Sequence, residues 1–208
     1  MRNAAFALLF ILPGASAHAE SLTLVALGDS LTAGYGLPAD KGLVPQLQAW
    51  LAAEGQDVMV ANAGVSGDTT AGGLARLDWS LTPDADALMV ILGGNDMLRG
   101  TDPAVSRANL SAILQGAADR HLPVLLVSMS APGNFGPDYK ATFDAIFPDL
   151  AAQFGVDLAK DFFAPLKARG DFLALMQVDG IHPNAEGVRL IAATLGPQLI
   201  DLLKKAGK

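Results

Sequence analysis

Short apolar runs of strand length, alternating with stretches of helical period, constrain this chain more than any other feature. Leu22–Leu27 (L-T-L-V-A-L), Val58–Ala61, Ala87–Leu92 (A-L-M-V-I-L), Pro123–Val127 and Val156–Leu158 read as five strands. The longer runs are almost wholly apolar, as strands covered on both faces are. Between them, Val44–Ala53 places Val44, Leu47, Trp50 and Leu51 at helical spacing, and Thr70–Leu81 does the same with Leu74, Leu77 and Leu81. Asp102 followed by Pro103 signals the start of a helix running to Asp119. Tyr139–Phe154 predicts a helix broken near Pro148, and a last helix starts at Asn184 or Ala185 and ends near Lys204. Met129–Pro137 and Lys160–Gly180 read as irregular. The alternation predicts one three-layer α/β/α sandwich with a mostly parallel five-stranded sheet and leaves the strand order open. In such sheets ligands gather beyond the carboxyl ends of the strands, so the loops that follow the strands are the places to look for chemistry.

The first residues obey a different pattern. A basic start, Met1–Arg2, precedes nine apolar residues, Ala4–Leu12, then Pro13-Gly14 and the small residues Ala15-Ser16-Ala17. This is the layout of a secretory signal peptide, cleaved after Ala17 or, as preferred here, after Ala19. The expected division is residues 1–19 as leader and 20–208 as one domain, periplasmic or secreted. The leader's apolar run is too short to span a bilayer, and no later segment looks transmembrane, so no stable membrane insertion is expected. The chain has no cysteine, which excludes a cysteine nucleophile, a thiolate metal site and a lipid-modified leader. A net charge of −7 argues against a nucleic-acid partner.

Four polar, glycine-bearing loops follow the strands or precede the last helix. They are Gly28-Asp29-Ser30-Leu31-Thr32, Asn62-Ala63-Gly64-Val65-Ser66-Gly67-Asp68, Gly93-Gly94-Asn95-Asp96, and Asp179-Gly180-Ile181-His182-Pro183-Asn184. A serine needs a base to become a nucleophile. Of the three histidines, His18 lies in the leader and His121 lies in a helix-to-strand connection, at the far end of the sheet. His182 alone is well placed. Asp179, three residues earlier, can fold back onto the imidazole and hold its tautomer. The backbone N–H groups of Ser30 and Gly64 and the side-chain amide of Asn95 are candidate donors to an oxyanion. Taken singly, Ser30 reads as a turn or cap residue, Gly64 as a turn glycine and Asn95 as a cap. Asp29, Asp96 and the Asp68/Arg76 pair read as structural, and Met129, Phe135 and Phe163 as acyl-pocket walls or plain packing. The G-x-S-x-G elbow, phosphate-binding glycine loops and metal-binding H-E-x-x-H are all missing.

The four loops, in this order, resemble the four blocks of the SGNH hydrolases, also called the GDSL esterase/lipase family. G-D-S-L-T-A-G-Y-G-L and S-G-D-T-T-A-G-G-L-A-R-L are similar to the bacterial periplasmic thioesterase I, lysophospholipase and arylesterase branch. The resemblance covers nearly the whole mature chain. It implies a flavodoxin-like sandwich, usually monomeric, with no cofactor and no metal. It also implies hydrolysis of aryl esters, acyl thioesters or lysophospholipids, with transient lipid contact at most. On that resemblance Ser30 is the nucleophile, Asp179 and His182 complete a triad, and Ser30, Gly64 and Asn95 form the oxyanion hole. A carbohydrate O-deacetylase of the same family and a non-catalytic binding protein on the same fold are the alternatives. An acyl-chain-length profile separates the first, and loss of one of the four blocks would mark the second.

Overall fold

A computed structural model describes residues 21–207, and the expected leader lies outside them. The chain runs β1 (Leu22–Gly28), α1 (Ser30–Ala33), α2 (Leu43–Ala53), β2 (Val58–Gly64), α3 (Thr70–Ala75), α4 (Leu77–Ser80) and β3 (Ala87–Ile91). It continues through α5 (Gly94–Leu98), α6 (Pro103–Ala118), β4 (Val124–Val127), α7 (Pro137–Asp144), α8 (Ile146–Phe154), β5 (Asp157–Ala159), α9 (Ala164–Lys167) and α10 (Ala185–Ala206). All neighbouring strands pair in parallel, in the order β2-β1-β3-β4-β5. Helices α2 and α10 pack together on one face, and α3, α6 and α8 on the other. This is the three-layer sandwich that the alternating pattern predicts.

Burial follows the strand order. From residue 23 onward β1 is buried, as are β3 and β4 throughout, because helices cover both faces. Strand β2 lies at the edge and alternates, with Val58 and Val60 inward and Met59 outward. It runs three residues past the expected end and stays in register with β1 up to Gly28↔Gly64. That extra length carries the loop after β2 to the same height as Ser30.

Two helices differ from expectation for visible reasons. The segment expected as one helix over 70–81 divides at Arg76, whose side chain reaches back to the sheet instead of lying along a helix face. The break expected near Pro148 falls at Ala145, which places Pro148 in the first turn of α8, where a missing N–H costs nothing. Helix α10 begins where Asn184 accepts hydrogen bonds from the Glu186 and Gly187 N–H groups, and it ends with Lys204 and Lys205 in its last turn. The short helices α1, α5 and α9 leave little trace in hydrophobic periodicity, being only four or five residues long.

After β1 the chain moves outward to β2, then crosses back to β3 on the other side of β1. The carboxyl end of β1 therefore sits at the point where strand order reverses, the usual crevice for a ligand in an open parallel sheet. Ser30 is two residues beyond that end. Among the described residues no helix is long and apolar enough to cross a membrane.

Candidate active site

Ser30 opens α1, and Asp29 caps that helix by accepting from the Leu31 N–H (3.0 Å). The Ser30 N–H, in the first turn, has no intrahelical partner to give up. Its Oγ lies 2.8 Å from His182 Nε2, across 152 positions of sequence. His182 Nδ1 lies 2.6 Å from Asp179 Oδ2. The same carboxylate accepts from the Ile181 and His182 N–H groups through Oδ1, at 2.9 and 3.0 Å. Because a carboxylate can only accept, Nδ1 carries the hydrogen and Nε2 is left to accept from the Ser30 hydroxyl. The structure thus brings Ser30, His182 and Asp179 into one hydrogen-bonded line.

The loop holding His182 is built as a tight hairpin. Met176 and Pro183 form an antiparallel bridge, Gln177 N–H donates to His182 O at 2.7 Å, and Gly180 N–H closes the turn onto Gln177 O. The Gln177 side chain donates to Tyr35 O and Pro183 O, tying this loop to the one after α1. The Tyr35 ring packs on the imidazole with centroids 4.6 Å apart. Tyr35 and Gln177 carry no pattern that sequence reading can single out, because their work depends on a contact across the fold.

Hydrogen bonds from two backbone N–H groups and from the imidazole hold the Asp179 carboxyl at about 2, the His182 backbone contributing most. A carboxyl depressed in the folded state adds stability above its ordinary value of 3.8, lost as pH falls through about 2. Asp29 behaves oppositely. Burial pushes it up to about 6, against the pull of hydrogen bonds from Leu31 and Asn95. Its contribution to stability is therefore full below 3.8 and lost as pH rises through about 6. Carbon-detected NMR of the folded protein is expected to place the Asp29 carboxyl midpoint near 6; a midpoint near 4 would show that its burial is relieved in solution.

Of the candidate oxyanion donors, Gly64 has its amide engaged elsewhere. Gly64 N–H donates to the Asn62 side chain (2.9 Å), and Gly64 does not line the cleft. A Cβ there would come within 2.3 Å of Ala33 N, so glycine is needed at 64 to let α1 pass close to the end of β2. Gly67 does line the cleft, beside Ser30 and Asn95. It sits in a turn closed by Asp68 N–H onto Val65 O, at φ +86°, where a type II turn requires glycine. Its position in S-G-D-T, three residues beyond Gly64, was within sight of the sequence. Choosing between the two glycines required knowing which amide already had a partner.

Asn95, on α5, donates to Asp68 O at 2.9 Å and to Asp29 Oδ2 at 3.2 Å. Asp96 is buried and accepts from the Thr70 N–H and hydroxyl and from Ser106, which joins α5 to α3 and α6. Asp68 and Arg76 form a sheet-end pair at 2.6 Å. His121 lies in the connection entering β4, at the amino ends of the strands, and His18 lies outside the described residues. Among the described residues no cluster of three His, Cys, Asp or Glu side chains is arranged to hold a metal.

Ser30, Gly67, Asn95 and His182 line a cleft of about 590 Å³ with mostly apolar walls, among them Met97, Met129, Phe163, Phe172 and Met176. Phe135 is not part of the lining; it lies half-exposed against Tyr139, with ring centroids 5.2 Å apart. Leu98 and Ile181, which also line the cleft, are exposed.

The chain matches the model of the GDSL-like lipase/acylhydrolase family over residues 26–190. It is 42% identical to Esterase TesA of Pseudomonas aeruginosa over 187 residues, 89% of this chain and 92% of that protein. It is 37% identical to thioesterase 1/protease 1/lysophospholipase L1 of Escherichia coli, covering 95% of this chain and 92% of that one. Among solved structures, the psychrotrophic esterase EstA of Pseudoalteromonas sp. superposes with a TM-score of 0.80 at 32% identity, over 88% of this chain and 98% of that one. With four motif loops meeting in one cleft on this sheet, and with these likenesses along nearly its whole length, the chain belongs to the GDSL-like lipase/acylhydrolase family, the SGNH ester hydrolases.

Proposed function

We propose that this protein is a periplasmic or secreted serine esterase that cleaves carboxylic esters and thioesters through an acyl-enzyme on Ser30. The observation that carries the reading is the line Ser30 Oγ–His182 Nε2–Asp179, at 2.8 and 2.6 Å. His182 takes the hydroxyl proton as Oγ attacks the acyl carbonyl, and Asp179 steadies the imidazolium that forms. The tetrahedral oxygen is received by the Ser30 and Gly67 N–H groups and by Asn95. Asn95 serves by turning one hydrogen from Asp29 Oδ2, the longer of its two bonds. His182 then protonates the leaving alcohol or thiol, and water repeats the cycle on the acyl-enzyme. That EstA has been obtained inhibited by monoethylphosphonate supports a nucleophilic mechanism of this kind. The apolar cleft favours an acyl chain over a sugar, and the names of the relatives favour aryl esters, acyl thioesters or lysophospholipids.

The test is hydrolysis of p-nitrophenyl esters from acetyl to palmitoyl by the wild type and by Ser30→Ala. Serine-dependent turnover extending beyond acetate is expected; activity confined to acetyl esters would favour a deacetylase instead. Each methylene buried in the cleft is worth about 0.8 kcal/mol, so the profile should be steep where the walls are continuous. Asn95→Ala is expected to lower kcat by about 10²–10³-fold. A near-normal kcat in that variant would remove Asn95 from the site.

A further inference from the structure

Arg76 lies outside the cleft, yet among the described residues all of its hydrogen bonds but one end on the segments that carry the oxyanion donors. Its Nη2 donates to Gly28 O (2.7 Å), two residues before Ser30. Its Nη1 donates to Ala63 O (2.8 Å), at the end of β2, and to Ser80 Oγ (3.2 Å). Its Nε donates to Asp68 Oδ2 (2.6 Å). Asp68 in turn closes the turn around Gly67 through its N–H, and its carbonyl accepts from Asn95. The Arg76 side chain is largely buried at 17% exposure, and the helix divides at this residue. A planar fork with several donors can span acceptors on two strands and a loop at once; an ammonium cannot.

We propose that Arg76 is the positioning residue of the oxyanion hole. It sets the spacing among the Ser30 amide beyond β1, the Gly67 amide beyond β2 and Asn95 beyond β3, without touching substrate. This rests on the reading that Ser30, Gly67 and Asn95 receive the oxyanion. Displacing such donors weakens their grip on the charged transition state far more than on the neutral ester, so the effect falls on kcat.

The experiment compares wild type, Arg76→Met, Arg76→Lys, Asp68→Asn and the Arg76→Met/Asp68→Asn double variant on p-nitrophenyl butyrate, at a temperature where each is folded by circular dichroism. Arg76→Met is expected to lose roughly 10²-fold in kcat, with KM within about three-fold of wild type. Arg76→Lys should recover only part of the loss. If Arg76 acts through Asp68, then Asp68→Asn added to Arg76→Met costs little more. Amide hydrogen exchange at residues 66–68 should quicken in Arg76→Met whatever the catalytic outcome. A folded Arg76→Met with kcat within three-fold of wild type overturns the proposal, as do unchanged exchange at 66–68 or losses that multiply in the double variant. Full activity in Ser30→Ala, run in parallel, sinks the catalytic reading instead, and the exchange data still report on the clamp.

Discussion

Ser30→Ala is expected to reduce kcat on an activated ester by roughly 10⁵–10⁶-fold while leaving the thermal midpoint nearly unchanged. On the proposed mechanism, removal of Oγ deletes the atom that forms the covalent bond. What remains is the binding cleft and whatever attack a water can make with His182 as base. The change takes away one hydroxyl and one hydrogen bond, the 2.8 Å contact to Nε2, so the fold has little reason to notice. The helix that begins at Ser30 keeps its cap, because that cap is the Asp29 carboxylate and not the serine hydroxyl. Titration with a reactive phosphonate provides the second reading: the wild type should be modified once per chain and the variant not at all. Equal residual rates in the two proteins would mean that Ser30 is not the nucleophile.

Asp179→Asn is expected to lower kcat by about 10⁴-fold, with the protein still folded. Asp179 Oδ1 is held by two backbone N–H groups, so the asparagine carbonyl will keep that place and its NH₂ will face His182 Nδ1. The imidazole must then accept at Nδ1 and carry its hydrogen on Nε2, the tautomer that cannot take the Ser30 proton. Asp179→Ala removes the anchor as well as the charge and would confound orientation with disorder, so asparagine is the sharper variant. With its carboxyl held at about 2, Asp179 stays ionised across the range from pH 4 to 9. No inflection of the wild-type rate profile in that range belongs to it. A kcat within ten-fold of wild type in Asp179→Asn would assign the orienting role to another group.

The repeating apolar runs were enough to specify the layers, because burial on both faces leaves a strand no room for polar residues and a helix covering it must show a 3.6-residue stripe. They also placed three of the four polar loops, since a parallel sheet sends every strand-following loop to one edge. The pairing of Asp179 with His182 was within reach for a similar reason: three residues in a glycine-bearing turn bring the two side chains together locally. Strand order, the division of the helix at Arg76 and the choice between Gly64 and Gly67 were decided only by the folded chain. Each depends on partners far apart in sequence. Arg76 meets Gly28 across 48 positions, Asn95 meets Asp29 across 66, and Gln177 meets Tyr35 across 142. Local pattern determines which segments are strands and helices because hydrophobic burial is periodic. Which backbone N–H remains free to serve a substrate depends on hydrogen-bond competition in the assembled structure, where Asn62 takes the Gly64 amide and, among the described residues, the amide of Gly67 meets no such partner.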